Sequence, residues 1–310
     1  MKIVVALGGN AISRRGEKGD LPDQIRNSRM TAEHIVGLVA AGHKVVATHG
    51  NGPQVGNILR RVEAARDFLY LLTLDICGAH TQGGMGYVLQ REIDNAFKKR
   101  GMDRIASTII TQTLVDGEDP AFVNPTKPIG PFFTKERIAS LVKEGWIVVE
   151  DAGRGWRRVV PSPKPRAIIE ERVIKKAIEF GDVVVCCGGG GIPVVERDGI
   201  LYGVEGVIDK DLGTSLLARR IGADLMIITT DVEKVAVHFN KPDERRLDRL
   251  TLAEAKAYLK KGEFPPGSMG PKILAAIEFV EETGNEVIIT VPEKMMEALV
   301  GKTGTRIVNS

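Results

Sequence analysis

Residues 3–10 read Ile3-Val4-Val5-Ala6-Leu7-Gly8-Gly9-Asn10. The first five are apolar and rich in β-branched side chains, the pattern of a strand buried on both faces. The strand runs straight into a glycine pair, which lets the backbone turn sharply and lets a ligand approach without meeting a Cβ. A helix starting there would aim its free N–H groups and positive end at the same spot, which suits an anion. Taken alone, the stretch fits equally a tight strand-to-helix turn with no ligand. The chain, however, repeats the device. Val45-Val46-Ala47-Thr48 runs into His49-Gly50-Asn51-Gly52-Pro53, and Val183-Val184-Val185-Cys186-Cys187 runs into Gly188-Gly189-Gly190-Gly191. Three buried strands ending in glycine loops predict one anion site at the carboxyl edge of a parallel sheet.

The intervals between these strands read as helices. One spans about Asp23 to Ala41 and stops at Gly42, a good residue just past a helix end. Val55, Ile58, Leu59 and Val62 share one face of a second. Met85, Leu89, Ile93 and Phe97, each four apart, mark a third that ends at Gly101; this stripe is core. With a strand at Ile105 to Ile110, the order is that of βαβ units. Between Asp116 and Pro165 the rhythm breaks. Prolines cluster there, both tryptophans fall there, and Trp146–Val149 and Trp156–Val160 read as a hairpin turning at Asp151–Gly155. The stretch is an inserted small subdomain placed to act as a lid. The pattern then resumes with a helix at Ile168–Phe180, the strand at 183–187, and a hairpin turning at Asp198-Gly199. A helix carries Leu212, Leu216, Leu217 and Ile221. Further on come a strand at Leu225–Thr230, a helix opened by the capping box of Thr251 and Glu254, a helix at Pro271–Thr283, and strands at Glu286–Val291 and Thr305–Val308.

The 310 residues suffice for one large α/β domain or two lobes. A net charge of +3, with basic pairs scattered, argues against a nucleic-acid partner. No apolar run approaches the roughly 18 residues of a membrane span, and the amino terminus lacks a signal peptide's layout. Three cysteines, two adjacent in an apolar strand, build no disulfide framework. The expectation is a reduced, cytoplasmic protein.

Phosphate chemistry needs backbone N–H groups, lysines as compact charges and usually Mg²⁺. Three lysines sit in stiff or glycine-lined settings. Lys127 lies in Asn124-Pro125-Thr126-Lys127-Pro128, Lys210 between two carboxylates in Asp209-Lys210-Asp211, and Lys272 in Gly267-Ser268-Met269-Gly270-Pro271-Lys272. A lysine in general is a solvated surface residue, but these precede or stiffen turns where helices begin. No Walker or protein-kinase glycine motif is present, nor any Cys/His spacing for a metal. His49 is the one histidine on a candidate ligand loop and reads as structural. No acid–base dyad is evident.

These stretches together resemble the amino-acid kinase superfamily: Gly8-Gly9-Asn10, His49 to Gln54, Asp209-Lys210-Asp211, Thr230-Asp231-Val232 and Gly267 to Lys272. Asn124 to Phe132 (NPTKPIGPF) and Gly153 to Pro163 (GRGWRRVVPSP) look like carbamate kinases specifically. The resemblance runs the length of the chain. It implies a three-layer αβα sandwich with an open, mainly parallel sheet, a small protruding lid subdomain, and a homodimer. It divides the chain into residues 1–180, the acceptor lobe carrying the insertion of about 117–165, and residues 181–310, the nucleotide lobe. The one departure is Leu71-Leu72-Thr73-Leu74-Asp75, where carbamate kinases tend to carry prolines before the aspartate.

The activity implied is reversible transfer between ATP and carbamate, giving ADP and carbamoyl phosphate, within arginine metabolism. By resemblance, Lys210 and Lys272 contact the nucleotide phosphates, Asp209 holds those lysines, and Lys127 approaches the carbamate side. Gly8, Gly9, Asn10, Gly50, Asn51 and Gly52 line the acceptor and phosphoryl pocket, with Gly189 and Gly190 on its far wall. Asp231, Met269 and Gly270 lie on the nucleotide side. Mg²⁺ is expected on the nucleotide phosphates, with no protein-built metal site. Carbamate is already an anion and needs no general base, so clustered lysines and N–H dipoles suit the reaction. The alternatives are another acyl-phosphate kinase such as acetylglutamate kinase, in which Lys127 has no role, and a nucleotide-binding sensor without turnover.

Overall fold

The computed structural model describes residues 1–12, 14, 17–143, 145–150, 155–181 and 183–310, the side chains of Asn10 and Pro131 excepted. From the amino terminus, β1 (Lys2–Leu7) leads through a short 3₁₀ turn (Gly9–Ala11) to α1 (Leu21–Ala40), β2 (Lys44–His49), α2 (Gly52–Ala64), α3 (Leu74–Lys99) and β3 (Ala106–Thr108). The chain then passes through β4 (Gln112–Val115), β5 (Lys127–Phe133), α4 (Ile138–Lys143), β6 (Val148–Glu150), β7 (Trp156–Val160) and β8 (Pro165–Ile168). It continues with α5 (Glu171–Glu179), β9 (Val183–Val185), β10 (Ile192–Arg197), β11 (Ile200–Gly203), α6 (Lys210–Arg220) and β12 (Leu225–Thr229). It ends with β13 (Val235–Val237), β14 (Arg245–Leu247), β15 (Arg249–Thr251), α7 (Leu252–Lys260), α8 (Met269–Thr283), β16 (Glu286–Thr290), α9 (Met295–Leu299) and β17 (Thr305–Val308).

Eight strands form the central sheet in the order β15-β17-β16-β12-β1-β2-β9-β3. Every neighbouring pair is parallel except β16 with β17. The pleat of β1 shows why its sequence is apolar without a break. Val4 and Ala6 pack with side chains of α5, α6 and α8, whereas Ile3, Val5 and Leu7 pack with those of α1, α3 and α9. Helices cover both faces, giving three layers. All five residues from Ile3 to Leu7 are fully buried, and burial of each large one is worth about 1.5–3 kcal/mol. The glycine loops after β1, β2 and β9 therefore emerge side by side at the carboxyl edge. They flank the point where the chain departs in opposite directions, β12 on one side of β1 and β2 on the other.

Local signals hold where their chemistry is local. Asp20 caps α1 by accepting from the Asp23 N–H. Thr251 and Glu254 complete the capping box of α7. The β10–β11 hairpin (Arg197↔Ile200) turns on Asp198 and Gly199, with φ of 52° and 75°, as a type I′ turn requires. Two readings change. Residues 165–168 form β8, antiparallel to β4, and the helix begins only at Glu171. A second sheet, β11-β10-β4-β8, stands beside the first. Its β4 pairs with β8 and β10, Thr113 with Ile168 and Gln112 with Ile192, segments separated by the inserted subdomain, so periodicity within either segment does not show the pairing. The inserted hairpin is present as β6 and β7, joined by β5 in a three-stranded antiparallel sheet; of its expected turn at Asp151–Gly155, residues 151–154 lie outside the described residues. At the departure, α3 starts at Leu74, whose N–H donates to Glu205 Oε1 at 2.8 Å.

Candidate active site

Two cavities meet at the carboxyl edge of the sheet. The larger, about 560 Å³, lies between the exit of β12 (Thr230, Asp231, Val232) and the approach to α8 (Gly267, Ser268, Met269), with Phe239 and Phe264 on its apolar side. The smaller, about 250 Å³, is walled by Gly50, Asn51, Gly52, Gly189, Lys127, Asp209, Lys210 and Asp211. Gly9, Gly267, Ser268 and Lys272 line both. The first loop is thus shared. Gly8 N–H donates to Thr229 Oγ at 3.0 Å, and a Cβ on Gly8 would run into the Thr229 carbonyl oxygen. A Cβ on Gly9 would instead meet nothing within 4 Å and would point into open space. Gly8 is required for packing, and Gly9 leaves room for a ligand.

Three helices aim their amino ends at the smaller cavity: α2 through Gly52-Pro53-Gln54, α6 through Asp209-Lys210-Asp211, and α8 through Gly267, Ser268 and Lys272. Neither Asn51 at the start of α2 nor Ser268 at the start of α8 caps its helix with a side-chain hydrogen bond. Their first-turn N–H groups and dipoles add positive potential where the cavities join.

The lysines meet there too. Asp211 accepts from Lys210 Nζ at 2.5 Å and from Lys272 Nζ at 3.1 Å. All three side chains are largely buried. Burial pushes the Lys210 ammonium below its ordinary range, Asp211 opposing and Lys272 adding to the shift. Burial would raise the Asp211 carboxyl, but Lys210 and Lys272 together outweigh it and hold the group below the ordinary carboxylate range. Asp209 has different work. It caps α6, Oδ1 accepting from the Asp211 N–H at 2.9 Å, while Oδ2 accepts from Lys127 Nζ at 2.8 Å. The geometry therefore gives the tethering of Lys210 and Lys272 to Asp211, and that of Lys127 to Asp209. The reason is helical: the cap residue turns its carboxylate back along its own helix, while the second helical position points inward between the lysines.

Other expected residues divide between wall and support. Asp231 and Met269 line the larger cavity, as does Gly8. Lys210 touches only the smaller one, and Lys272 spans both. Gly189 is on the wall of the smaller cavity, but Gly190 and Gly270 are on neither wall. A Cβ on Gly190 would crowd Ile208 at 2.8 Å, and Gly270 N–H donates to the Pro265 carbonyl at 2.9 Å. These two glycines serve close packing behind the loops. Of Asn10 only the backbone is described, within the 3₁₀ turn. His49 is structural: burial pushes its imidazole down to about 4, and its ring packs where a Cβ on Gly188 would go. Burial raises the Cys187 thiol to about 12 and Cys186 well above its usual value, so neither is a nucleophile. Among the described residues no group of three or more His, Cys, Asp or Glu side chains is placed to hold a metal ion, and no helix is long and apolar enough to cross a membrane.

Residues 1–290 match the model of the amino acid kinase family. The chain is 49% identical over 311 residues to the carbamate kinase of Thermococcus kodakarensis, covering 99% of each chain. It is 48% identical to the carbamate kinase-like protein YahI of Escherichia coli, again over 99% of each. The structure of the carbamate kinase from Giardia lamblia bound to AMP-PNP superposes with a TM-score of 0.94 at 47% identity, covering 99% of this chain and 98% of that one. Fold, loop chemistry and full-length similarity together place the chain in the amino acid kinase family, among the carbamate kinases.

Proposed function

We propose that the protein is a carbamate kinase, transferring a phosphoryl group reversibly between ATP and carbamate. The observation that carries this reading is the ring of Lys127, Lys210 and Lys272, with Asp209 and Asp211, where the two cavities meet. The larger cavity has the size and the apolar wall for a nucleoside, and the related Giardia enzyme was solved with AMP-PNP. The smaller suits an acceptor the size of carbamate. The proposed division into residues 1–180 and 181–310 is supported by the nucleotide cavity, which residues 230–272 largely line, while both halves contribute about equally to the smaller cavity.

In this reading Lys272, common to both cavities, and Lys210 neutralise charge on the phosphoryl group in transit. Lys127, carried by the protruding subdomain, screens the carbamate oxygen from the phosphate it attacks. The N–H groups opening α2, with that of Gly9, receive the equatorial oxygens. No side chain has to remove a proton, since the acceptor is already an anion. The protein's task is to bring two anions into line and hold them there. Mg²⁺ takes oxygen ligands, keeps several waters and is commonly held through substrate phosphates and one or two carboxylates. Here Asp209 and Asp211 are engaged by lysines while Asp231 lines the nucleotide cavity. The site thus fits an ion that would arrive with the nucleotide, with Asp231 the carboxylate on that wall, and would offset charge on its phosphates.

We extend the reading to a cytoplasmic homodimer. The homodimer is supported by the exposed apolar run Phe68, Leu69, Tyr70 and Leu71, together with Ile76 and Tyr87 of α3. The decisive assay couples ADP and carbamoyl phosphate to ATP formation, with N-acetylglutamate and MgATP as the competing pair. Turnover of acetylglutamate without turnover of carbamoyl phosphate would overturn the assignment, and nucleotide binding without either would leave a sensor.

A further inference from the structure

The loop after β9 holds an uncommon conformation. Cys187, Gly189, Gly190 and Gly191 have φ of 51°, 66°, 91° and 94°. A non-glycine residue in the left-handed region costs about 1–2 kcal/mol, and such a run keeps its shape only where the surroundings over-determine it. The surroundings here are side chains. Thr111 Oγ accepts from the Cys187 N–H at 2.9 Å, Gln82 Nε2 donates to the Gly188 carbonyl at 3.0 Å, and Thr113 Oγ donates to the Gly190 carbonyl at 2.9 Å. Gln82 is itself immobilised: its Oε1 accepts from Thr111 N–H at 2.7 Å and its Nε2 also donates to the Thr111 carbonyl at 3.1 Å.

The preceding residue holds the other loop. Thr81 Oγ accepts from Asn51 Nδ2 at 2.8 Å and donates to the Gly78 carbonyl at 2.6 Å. Asn51 in turn lies against Gly189, where any Cβ would strike its side-chain amide. Thr81 and Gln82 are each only 2% exposed and line neither of the two cavities of the site. Adjacent on α3, they tie the loop after β2 and the loop after β9 to one rigid helix.

We propose that Thr81 and Gln82 are positioning residues that set the separation of the Asn51–Gly52 and Gly188–Gly191 loops, and so the fit of the acceptor. This rests on the carbamate kinase reading for the identity of that acceptor. The nucleotide cavity is built from the exit of β12 and the start of α8, which these two residues do not touch. The effect is therefore confined to one substrate. A carbonyl or amide displaced by a fraction of an ångström weakens acceptor binding while leaving nucleotide binding intact.

The test compares Thr81→Val, which keeps the shape and loses the hydroxyl, with Thr81→Ser, which restores it, and adds Gln82→Met. Thr81→Val and Gln82→Met should raise KM for carbamoyl phosphate roughly tenfold with KM for ADP within about twofold of the parent, and Thr81→Ser should behave as the parent. A parallel rise in both constants, or a lowered Tm with both unchanged, would show a merely structural role and overturn the proposal. Amide hydrogen exchange over residues 49–55, the loop that Thr81 holds, and over residues 186–191, the loop that Gln82 holds, is read on the same proteins without substrate. Faster exchange there in Thr81→Val and Gln82→Met supports positioning even if the parent fails to turn over carbamoyl phosphate, an outcome that would sink only the substrate assignment. Unchanged exchange overturns the positioning claim whatever the substrate.

Discussion

Lys127 Nζ donates to Asp209 Oδ2 at 2.8 Å across 82 residues of sequence, joining β5 of the protruding subdomain to the amino end of α6. The lysine side chain is 39% exposed and the aspartate 14%. At that exposure the pair adds little stability, so its purpose lies in where it places the ammonium.

Lys127→Met should therefore separate activity from stability. Turnover of ADP with carbamoyl phosphate should fall about 10²–10³-fold, the usual loss when one preorganised charge-stabilising group is removed. The Tm should stay within about 2 °C. Equal losses in kcat and in Tm would show that Lys127 braces the subdomain instead.

The two aspartates should differ in the opposite direction. Asn is as good a helix cap as Asp, so Asp209→Asn should leave Tm nearly unchanged. Asp211→Asn leaves two buried ammonium groups facing each other, and removing one partner from such a cluster costs about 3–5 kcal/mol. Calorimetry on both variants checks the order; a greater loss for Asp209→Asn would contradict the assignment of Asp211 as the shared counter-charge.

Gly8→Ala and Gly9→Ala form a second contrast. The first forces a Cβ against the Thr229 carbonyl and should cost about 1–3 kcal/mol. The second meets nothing within 4 Å and should fold normally while losing affinity for nucleotide and acceptor, since Gly9 borders both cavities. Thermal melts beside isothermal titration with ADP decide it. Normal binding by a well-folded Gly9→Ala would place the ligands elsewhere.

Stability should decline on mild acidification through His49. Its folded-state pKa is depressed to about 4 from 6.5, so the unfolded chain takes up a proton below about pH 6.5 that the folded chain refuses. Stability is fully present above the unfolded value and is lost as pH falls towards 4, by about 3 kcal/mol over the whole window. His49→Gln should flatten that part of a Tm-against-pH curve. An unchanged slope would mean that other groups dominate the window.

The readable parts of the chain are those whose chemistry is local. Buried strands announce themselves by β-branched runs, α7 by Thr251 and Glu254, and the hairpin turn by Asp198-Gly199. The three lysines stood out by their glycine and proline surroundings, and the structure brings all three to one junction. Thr81 and Gln82 carried no such signal: on α3 they precede the apolar stripe of Met85 to Phe97, and a polar pair there looks like solvated surface. The place of β4 between β8 and the β10–β11 hairpin was equally silent, because β4 finds those partners only after the subdomain has been built.

By itself the sequence determined a parallel α/β sheet with glycine loops at its carboxyl edge, because strand burial, turn geometry and helix starts depend on neighbours a few residues away. Only the tertiary structure decided that Asp211 holds Lys210 and Lys272 while Asp209 holds Lys127. Carboxylates two positions apart on a helix start are chemically alike, and what separates them is the direction from which a lysine arrives, 61 residues later for Lys272 and 82 residues earlier for Lys127.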